Sequence, residues 1–358
     1  MSLRVMHGPA EGWMTGALAR PKTLFLPSRR QFSASFALLV GASVLLPAWA
    51  QSSTAMPADY PQRAVTYVVP YPPGGAADAF ARQLAQALTK RLGQPVVVEN
   101  RAGANGNIGS GQVARGAADG YTLLLGTAST LAINPHLYGA RMPYDPLKDL
   151  QPVSTTHSMV NVLVVGAGSP FKTVAEVIAQ AKAKPGSLSY ASAGVGNTMH
   201  LAGEQFKTQA GIDLVHVPYK GGAPAVNDVL AGQVPMMFNN LPAILPLVKA
   251  GKLRALAVAG TQRARLLPDV PTLREAGLAG VESMVWNGVL VKAGTPTAIV
   301  NRLNSEIVAI LNDPAVKASL EDQGFDVTPS TPNQFAQLIR KDLTRWGALV
   351  VQSGATAD

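Results

Sequence analysis

Residues 65–93 run VTYVVPYPPGGAADAFARQLAQALTKRLG, and in this stretch a strand passes through a stiff loop into a helix. The β-branched segment Val65–Val69 predicts a buried strand that ends at Pro70. Apolar residues then recur at helical spacing, which predicts a helix over Ala77–Leu92 that stops at Gly93. A strand followed directly by a helix is the repeating unit of an α/β fold.

The same alternation continues along the chain, interrupted by an irregular, Pro-rich stretch before Val160. It predicts α/β layers with mostly parallel sheets. The length suits two lobes, a discontinuous first lobe of residues 56–160 plus 284–358 and a second lobe of residues 161–283. The further predicted elements are Val96–Val98, Asn105–Val113, Tyr121–Leu125, Val160–Val165, Val174–Ala183, Leu188–Ala191, Met199–Gln209, Leu214–Val217, Ala223–Leu230, Met236–Phe238, Ile244–Lys249, Leu253–Val258, Trp286–Val291, Thr297–Leu311 and Pro332–Val351.

The composition is that of a globular protein, with 47% hydrophobic and 14% charged residues. The net charge is +9, but residues 1–50 carry +4 of it, and the remaining basic residues are scattered. A nucleic-acid-binding protein has a basic stripe with interleaved aromatic residues, so we expect no nucleic-acid partner. The chain has no cysteine, which excludes disulfides, thiolate metal sites and a cysteine nucleophile.

The first 50 residues have the pattern of an export signal. Arg29-Arg30 precedes an apolar run over 34–46, and Pro47-Ala48-Trp49-Ala50 supplies a small-x-small cleavage site. The run is shorter than the roughly 20 residues that span a bilayer. We therefore expect cleavage after Ala50 and a periplasmic mature protein. The twin-arginine and Sec routes both stay open. Residues 1–27 are long for the region before the apolar run, which favours an internal start.

The loop Pro70–Gly75 has the chemistry of an anion site. Its prolines stiffen the approach, and Gly74 and Gly75 expose backbone N–H donors at the positive end of the following helix. A plain turn capped by Asp78 is the alternative.

Three further loops follow predicted strands in the same way: Ser192–His200, Gly126–Thr130 and Phe238–Pro242. In open α/β sheets, ligands bind outside the carboxyl ends of the strands, so we expect these loops to converge on one site. In Ser192–His200, helix capping by Asn197 or Thr198 is the structural alternative. The third glycine of a dinucleotide fingerprint is missing there.

An internal echo links the two lobes. Residues 69–75 (VPYPPGG) resemble residues 217–222 (VPYKGG), and an acid follows each glycine pair, Asp78 and Asp228. Coincidence between two Gly-rich turns is the alternative.

Enzyme signatures are missing from the mature chain, which has no G-x-S-x-G elbow, Walker A loop or H-E-x-x-H motif. The histidines are dispersed, and Asp78 has no apparent catalytic partner. We therefore expect no enzymatic activity, no cofactor and no metal. A lyase or isomerase that uses Asp78 and a structural scaffold are the less favoured alternatives.

Several motifs in order resemble the solute receptors of tripartite tricarboxylate transporters, often called Bug receptors. The resemblance covers about residues 60–354. It rests on Tyr60-Pro61-x-Arg63, Val68-Val69-Pro70-Tyr71-Pro72-Pro73-Gly74-Gly75-x-x-Asp78, Val98-Glu99-Asn100-Arg101-x-Gly103-x-x-Gly106, Asp119-Gly120-Tyr121-Thr122, Tyr144-Asp145-Pro146, Val217-Pro218-Tyr219-Lys220-Gly221 and Pro271-Thr272-x-x-Glu275-x-Gly277.

The resemblance implies a type II periplasmic-binding-protein fold, in which two α/β lobes close by a hinge on a small organic acid (a di- or tricarboxylate, an amino acid or an aromatic carboxylate). It also implies a monomer that delivers its ligand to membrane transporter subunits or to a sensor protein. Neither loop contains an arginine, so backbone amides, hydroxyls and water are expected to hold the acid. Carried over, the expected ligand-binding residues are Tyr71, Pro73, Gly74, Gly75, Ala76, Asp78, Ser129 and Thr130 in the first lobe, and Ser192, Ala193, Gly194, Gly196, Asn197, Thr198, His200, Tyr219, Gly221, Gly222 and Asn239 in the second.

Overall fold

A computed structural model describes residues 60–356, and the predicted signal sequence lies outside them. Strands and helices alternate through most of this range. The strands are β1 (Val65–Val69), β2 (Val96–Asn100), β3 (Thr122–Thr127), β4 (Leu150–Gly166), β5 (Ser189–Ser192), β6 (Val215–Pro218), β7 (Met236–Asn240), β8 (Leu253–Val258), β9 (Met284–Lys292) and β10 (Asp326–Val327). The helices are α1 (Ala76–Leu92), α2 (Asn107–Ala114), α3 (Asn134–Tyr138), α4 (Val174–Ala183), α5 (Thr198–Ala210), α6 (Gly222–Leu230), α7 (Leu241–Lys249), α8 (Thr297–Asn312), α9 (Pro314–Asp322) and α10 (Pro332–Ser353). Short helical turns cover Ala104–Gly106, Ser129–Ile133 and Gly139–Arg141.

Helix α1 shows why the opening stretch folds as predicted. It begins after Gly75, whose backbone is extended, and buries Phe80, Leu84 and Leu88 on one face. It ends at Gly93, which takes the left-handed conformation (φ 72°) that glycine adopts without steric cost.

The strands are hydrogen-bonded in the order β2-β1-β3-β9-β4-β7-β5-β6, and β8 and β10 also pair with β4. The outer strands are parallel, as predicted, in the sets β2-β1-β3 and β6-β5-β7. The expectation of mostly parallel sheets is nevertheless wrong at the centre, where every pairing of β4 and β9 is antiparallel. The reason is that β9 returns along β4 in the opposite direction.

Strand β4 is much longer than the predicted segment Val160–Val165. Its first part, residues 150–160, pairs with β9, and residues 161–165 pair with β7. The early part escaped prediction because it is polar, and the polar atoms of its buried residues Ser154, Thr156 and His157 are held by hydrogen bonds. Helix α9 and the short β10 were also not predicted.

The buried apolar side chains form three clusters. The largest draws almost entirely on residues 60–159 and 285–350, and includes Phe80, Phe335 and Trp346. The other two clusters draw on residues 160–284, and one of them contains Phe206 and Phe238. Within residues 60–356, no helix combines the length and the hydropathy needed to cross a membrane.

Candidate functional site

The candidate site is a cavity of about 360 Å³, within the usual range for small-molecule sites. It lies where the ends of β1, β3, β5 and β7 meet the starts of the following helices, so the four predicted loops do converge. The lining residues are Tyr71, Pro72, Pro73, Gly74, Gly75, Ala76, Ala77, Thr127, Ser129, Met159, Ala193, Asn197, Thr198, Met199, Gly221, Gly222, Ala223, Pro224, Val226, Asn227, Asn239, Asn240, Ala243, Leu247, Val285 and Asn287.

The first loop is tied to the protein by the buried carboxylate of Asp78. The backbone N–H of Gly74 and the Arg82 guanidinium both donate to its Oδ2 at 3.0 Å, and Asn100 Nδ2 donates to its Oδ1 at 2.9 Å. Burial by itself raises the pKa of Asp78, but the hydrogen bonds from Arg82, Gly74 and Asn100 outweigh it and hold the pKa below its usual value. Asp78 is therefore committed to positioning the loop, and it does not line the cavity.

Tyr71 connects this loop to the end of β3. Its hydroxyl lies 2.8 Å from Thr127 Oγ1, and its backbone carbonyl accepts from Asn100 Nδ2 at 3.1 Å. Burial raises the pKa of Tyr71 although hydrogen bonds to Thr127 and Ser129 oppose the shift, so the hydroxyl stays neutral. Ser129 lines the cavity beside it.

The second loop is shaped by Asn197, the N-cap of α5. Its Oδ1 accepts the backbone N–H groups of Met199 and His200, both at 3.0 Å. Only an oxygen can accept both, so the orientation of the amide is settled and Nδ2 is the other atom. That Nδ2 is buried and has no hydrogen-bond partner among the described residues, although Asn197 lines the cavity. The capping role, which was the structural alternative, therefore coexists with a free donor.

The helices α1 and α6 present uncapped N-termini to the cavity. Gly75 before α1 and Gly221 before α6 make no side-chain cap, and both line the cavity. Unpaired N–H groups at such ends carry partial positive charge. None of the lining residues of the described chain is Asp, Glu, Lys, Arg or His, so the field in the cavity comes from backbone and amide dipoles.

The two halves of the internal echo meet at this cavity. A Cβ on Gly221 would lie 3.1 Å from Cγ of Pro72, so the two glycine loops touch. Each echoed acid accepts from its own loop, Asp78 from the backbone N–H of Gly74 at 3.0 Å and Asp228 from the Tyr219 hydroxyl at 2.5 Å.

Twelve of the nineteen predicted binding residues line the cavity: Tyr71, Pro73, Gly74, Gly75, Ala76, Ser129, Ala193, Asn197, Thr198, Gly221, Gly222 and Asn239. The other seven lie outside the lining: Asp78, Thr130, Ser192, Gly194, Gly196, His200 and Tyr219.

Several of these seven brace the loops from behind. Thr130 Oγ1 accepts the N–H of Thr127 at 3.1 Å, which fixes the turn after β3. His200 Nδ1 accepts the N–H of Gly196 at 3.0 Å, and burial, aided by the charge of Lys207, lowers the pKa of His200 to about 4. The ring stacks on His216 with centroids 3.9 Å apart.

Ser192 is also turned toward this bracing layer and away from the cavity. Its Oγ lies 2.7 Å from Nε2 of His216, and the backbone N–H of Gly194 donates to the same Oγ at 3.2 Å. Both contacts hold the loop between β5 and α5 in place.

Other lining residues were not predicted from the sequence. The apolar part of the wall includes Met159, Leu247 and Val285, and the polar part includes Thr127 and Asn287. Asn287 had one visible signal, an amide in the middle of the apolar strand β9 (MVWNGVLVK). Its neighbours come from distant segments, because it pairs with Thr127 of β3 on one side and His157 of β4 on the other.

No group of three or more His, Cys, Asp or Glu side chains in residues 60–356 is arranged to hold a metal ion.

Comparison with known proteins gives a consistent result. A model of the tripartite tricarboxylate transporter family receptor matches residues 80–355. Protein BugT of Bordetella pertussis is 40% identical over 297 residues, which are 83% of this chain and 91% of BugT.

Two solved structures from Rhodopseudomonas palustris are also similar. Rpa4515 with adipate has a TM-score of 0.81 at 38% identity and covers 83% of this chain and 99% of its own. MatC (Rpa3494) with bound malate has a TM-score of 0.77 at 33% identity and covers 81% and 100%. These likenesses confirm the predicted two-lobed α/β fold with a ligand cleft.

Proposed function

The chain belongs to the tripartite tricarboxylate transporter receptor family and is a solute-binding receptor, not an enzyme; we propose that its cavity captures a small organic acid as the carboxylate. The receptor then delivers this acid to the membrane subunits of a tripartite transporter. A sensor protein is the alternative recipient.

The observation that carries the proposal is the buried, unpartnered Nδ2 of Asn197, a residue of the cavity lining. A buried donor without an acceptor is costly, so the site is built for a ligand that brings one. A carboxylate is the acceptor that also gains from the uncapped ends of α1 and α6. The apolar side chains Met159, Leu247 and Val285 suit the carbon skeleton of the acid.

The neighbours support the same ligand class. Rpa4515 was solved with adipate and MatC with malate, and both compounds are dicarboxylates. In this chain we assign ligand contacts to the twelve predicted residues that line the cavity, with water filling the remaining hydrogen bonds. Binding without a cationic clamp suits a ligand that must later be released.

The receptor would work as an exported monomer that closes by a hinge. We propose lobes of residues 56–160 plus 284–358 and of residues 161–283. The change of partner along β4, from β9 to β7 at residues 160–161, supports this boundary. Export follows from the proposed signal at residues 1–50, by the Sec or the twin-arginine route.

The test is a thermal-shift panel of di-, tri- and aromatic carboxylates, with Gly75→Leu and Gly168→Leu as matched variants. Both glycines have backbone angles that other residues accept and open space where a Cβ would lie, but Gly168 is not part of the cavity lining. We expect at least one acid to raise the melting temperature of the wild type and of Gly168→Leu, but not that of Gly75→Leu. Flat curves for the wild type across the panel would refute acid capture.

A further inference from the structure

Asn287, a second residue of the cavity lining, also has an unpaired polar atom. This atom is an acceptor, whereas the unpaired atom of Asn197 is a donor. Asn287 lies in β9, its residue surface is 1% exposed, and it belongs to the cavity lining. Its Oδ1 is buried and finds no hydrogen-bond partner within residues 60–356. The identity of this atom matters, because an amide can present either an acceptor or a donor.

A chain of hydrogen bonds decides the orientation of the amide. The Thr156 hydroxyl donates to the backbone carbonyl of Asn287 at 3.2 Å, so its oxygen is left to accept from His157 Nδ1 at 3.1 Å. A neutral imidazole then has only a lone pair on Nε2. That lone pair accepts from Asn287 Nδ2 at 2.9 Å, which leaves Oδ1 as the free atom.

The neutral state of His157 is well supported. Its side chain is fully buried, and its ring lies 3.9 Å from the ring of Phe80 and 4.8 Å from that of Phe325, measured between centroids. Burial lowers the pKa of His157 to about 3. Reversing the Asn287 amide would require the other histidine tautomer, and the Thr156 hydroxyl would then have to give up the carbonyl of Asn287.

Two residues of the cavity lining thus hold buried, unpartnered atoms of opposite character, the donor Asn197 Nδ2 and the acceptor Asn287 Oδ1. A plain carboxylate satisfies the first and leaves the second without a donor. An ammonium group would bring three donors and a positive charge, yet no acidic side chain is among the described lining residues. A hydroxyl brings one donor and no charge, which matches a single neutral acceptor.

We propose that the ligand is a hydroxy carboxylate whose hydroxyl donates to Asn287 Oδ1, with Asn287 as the residue that selects for it. This inference rests on the proposed function, in which the carboxylate accepts from Asn197. The ligand hydroxyl would then complete the series of hydrogen bonds that runs from Thr156 through His157 and Asn287 to the ligand. A site built to bind a hydroxyl discriminates strongly against analogues that lack it.

The test uses three sets of acids, and within each set a deoxy, a hydroxy and an oxo acid differ only at one carbon. The sets are propanoate, lactate and pyruvate; glutarate, 2-hydroxyglutarate and 2-oxoglutarate; and phenylacetate, mandelate and phenylglyoxylate. The oxo acids keep an acceptor of similar size but have no O–H to donate. Affinities are measured by calorimetry on the wild type and on Asn287→Leu, which is close in size and has no acceptor. We expect the wild type to bind the hydroxy acid at least tenfold tighter than both analogues in the set that fits, and Asn287→Leu to reduce this preference below threefold.

The outcomes separate the two proposals. Equal binding of the deoxy or oxo acid by the wild type overturns the hydroxyl inference and leaves acid capture standing. A preference that survives in folded Asn287→Leu overturns the role of Asn287. If that variant does not fold, the comparison of hydroxy and oxo acids on the wild type still decides whether a donor is required. Binding of none of the nine acids, when another acid of the thermal-shift panel does bind, overturns the hydroxyl inference alone; flat curves across that whole panel overturn acid capture and the inference together.

Discussion

Replacing Asn197 by Asp should separate the two roles of this residue, the cap of α5 and the donor to the ligand. The Asp side chain has the same shape and retains an oxygen for the N–H groups of Met199 and His200. It replaces the unpartnered Nδ2 with a charged oxygen, which in the proposed complex would face the carboxylate of the ligand. Replacement by Ala removes cap and donor together without adding charge.

The expected magnitudes differ enough to be measured. Loss of a hydrogen bond to a charged group costs about 2 kcal/mol, so Asn197→Ala should bind the acid roughly thirtyfold more weakly. In Asn197→Asp, repulsion between two charges about 4 Å apart at an effective dielectric constant of about 20 adds about 4 kcal/mol. The combined loss exceeds a thousandfold in affinity. The free energy of unfolding of the ligand-free protein should fall by about 1 kcal/mol in Asn197→Ala, because this variant loses the cap of α5.

The assay pairs calorimetric titration with urea unfolding of the ligand-free proteins. The titrant is the acid that most raises the melting temperature of the wild type. If Asn197→Asp binds this acid within tenfold of the wild type, Nδ2 does not contact the ligand and the reasoning fails. If Asn197→Ala is as stable as the wild type, the cap contributes nothing and the settled orientation of the amide is in doubt.

Three further perturbations follow from the same contacts. Asp78→Asn removes the buried charge that ties the first loop, and urea titration at pH 7 should show that the free energy of unfolding falls by about 2 kcal/mol. Because the native pKa of Asp78 is low, the difference between the two proteins should disappear as the pH falls through that pKa. A difference that stays constant with pH would contradict this role of Asp78. Burial holds His157 and His200 neutral in the folded protein, with pKa values of about 3 and 4, so unfolding takes up protons and stability should fall as the pH decreases from about 6.5 to 4. His200→Gln should make that decline shallower by about one proton in urea unfolding at several pH values, and an unchanged slope would contradict the neutral ring. Gly221→Val places a branched side chain at φ 122° and against Pro72. In calorimetry its affinity for the acid should therefore be more than tenfold lower than that of the wild type, whereas Gly168→Val should bind like the wild type. Equal affinities of the two variants would show that the contact between the loops is unimportant.

Local patterns were sufficient for much of the fold. Helix α4 was predicted with both ends correct, and the structure shows that its start is fixed locally by a capping box of Thr173 and Glu176. The first half of β4 was missed because its buried hydroxyls and imidazole find their partners across the sheet and not in the local sequence. A pattern of hydrophobicity cannot reveal a strand that is stabilised by distant hydrogen bonds.

The same limit applies to the candidate site. The glycine loops at Gly75 and Gly221 were visible because a strand, a turn and a helix start follow one another in the sequence. Asn287 was not, since its place beside Thr127 and His157 depends on the register of three strands far apart in the chain. His200 shows the converse: it follows a candidate loop closely in the sequence, but its ring accepts from the N–H of Gly196 and it is not part of the cavity lining.

The absence of charged side chains from the described cavity lining has a consequence for the environment in which the receptor works. Mobile salt ions screen charges that are exposed to solvent, but they have little effect on amides and helix ends enclosed in a protein. A receptor that relied on an exposed arginine would lose affinity as the ionic strength around it rose. Fixed dipoles would make the proposed capture of an acid nearly independent of ionic strength, so the receptor would respond to the concentration of the acid and not to that of the surrounding salt.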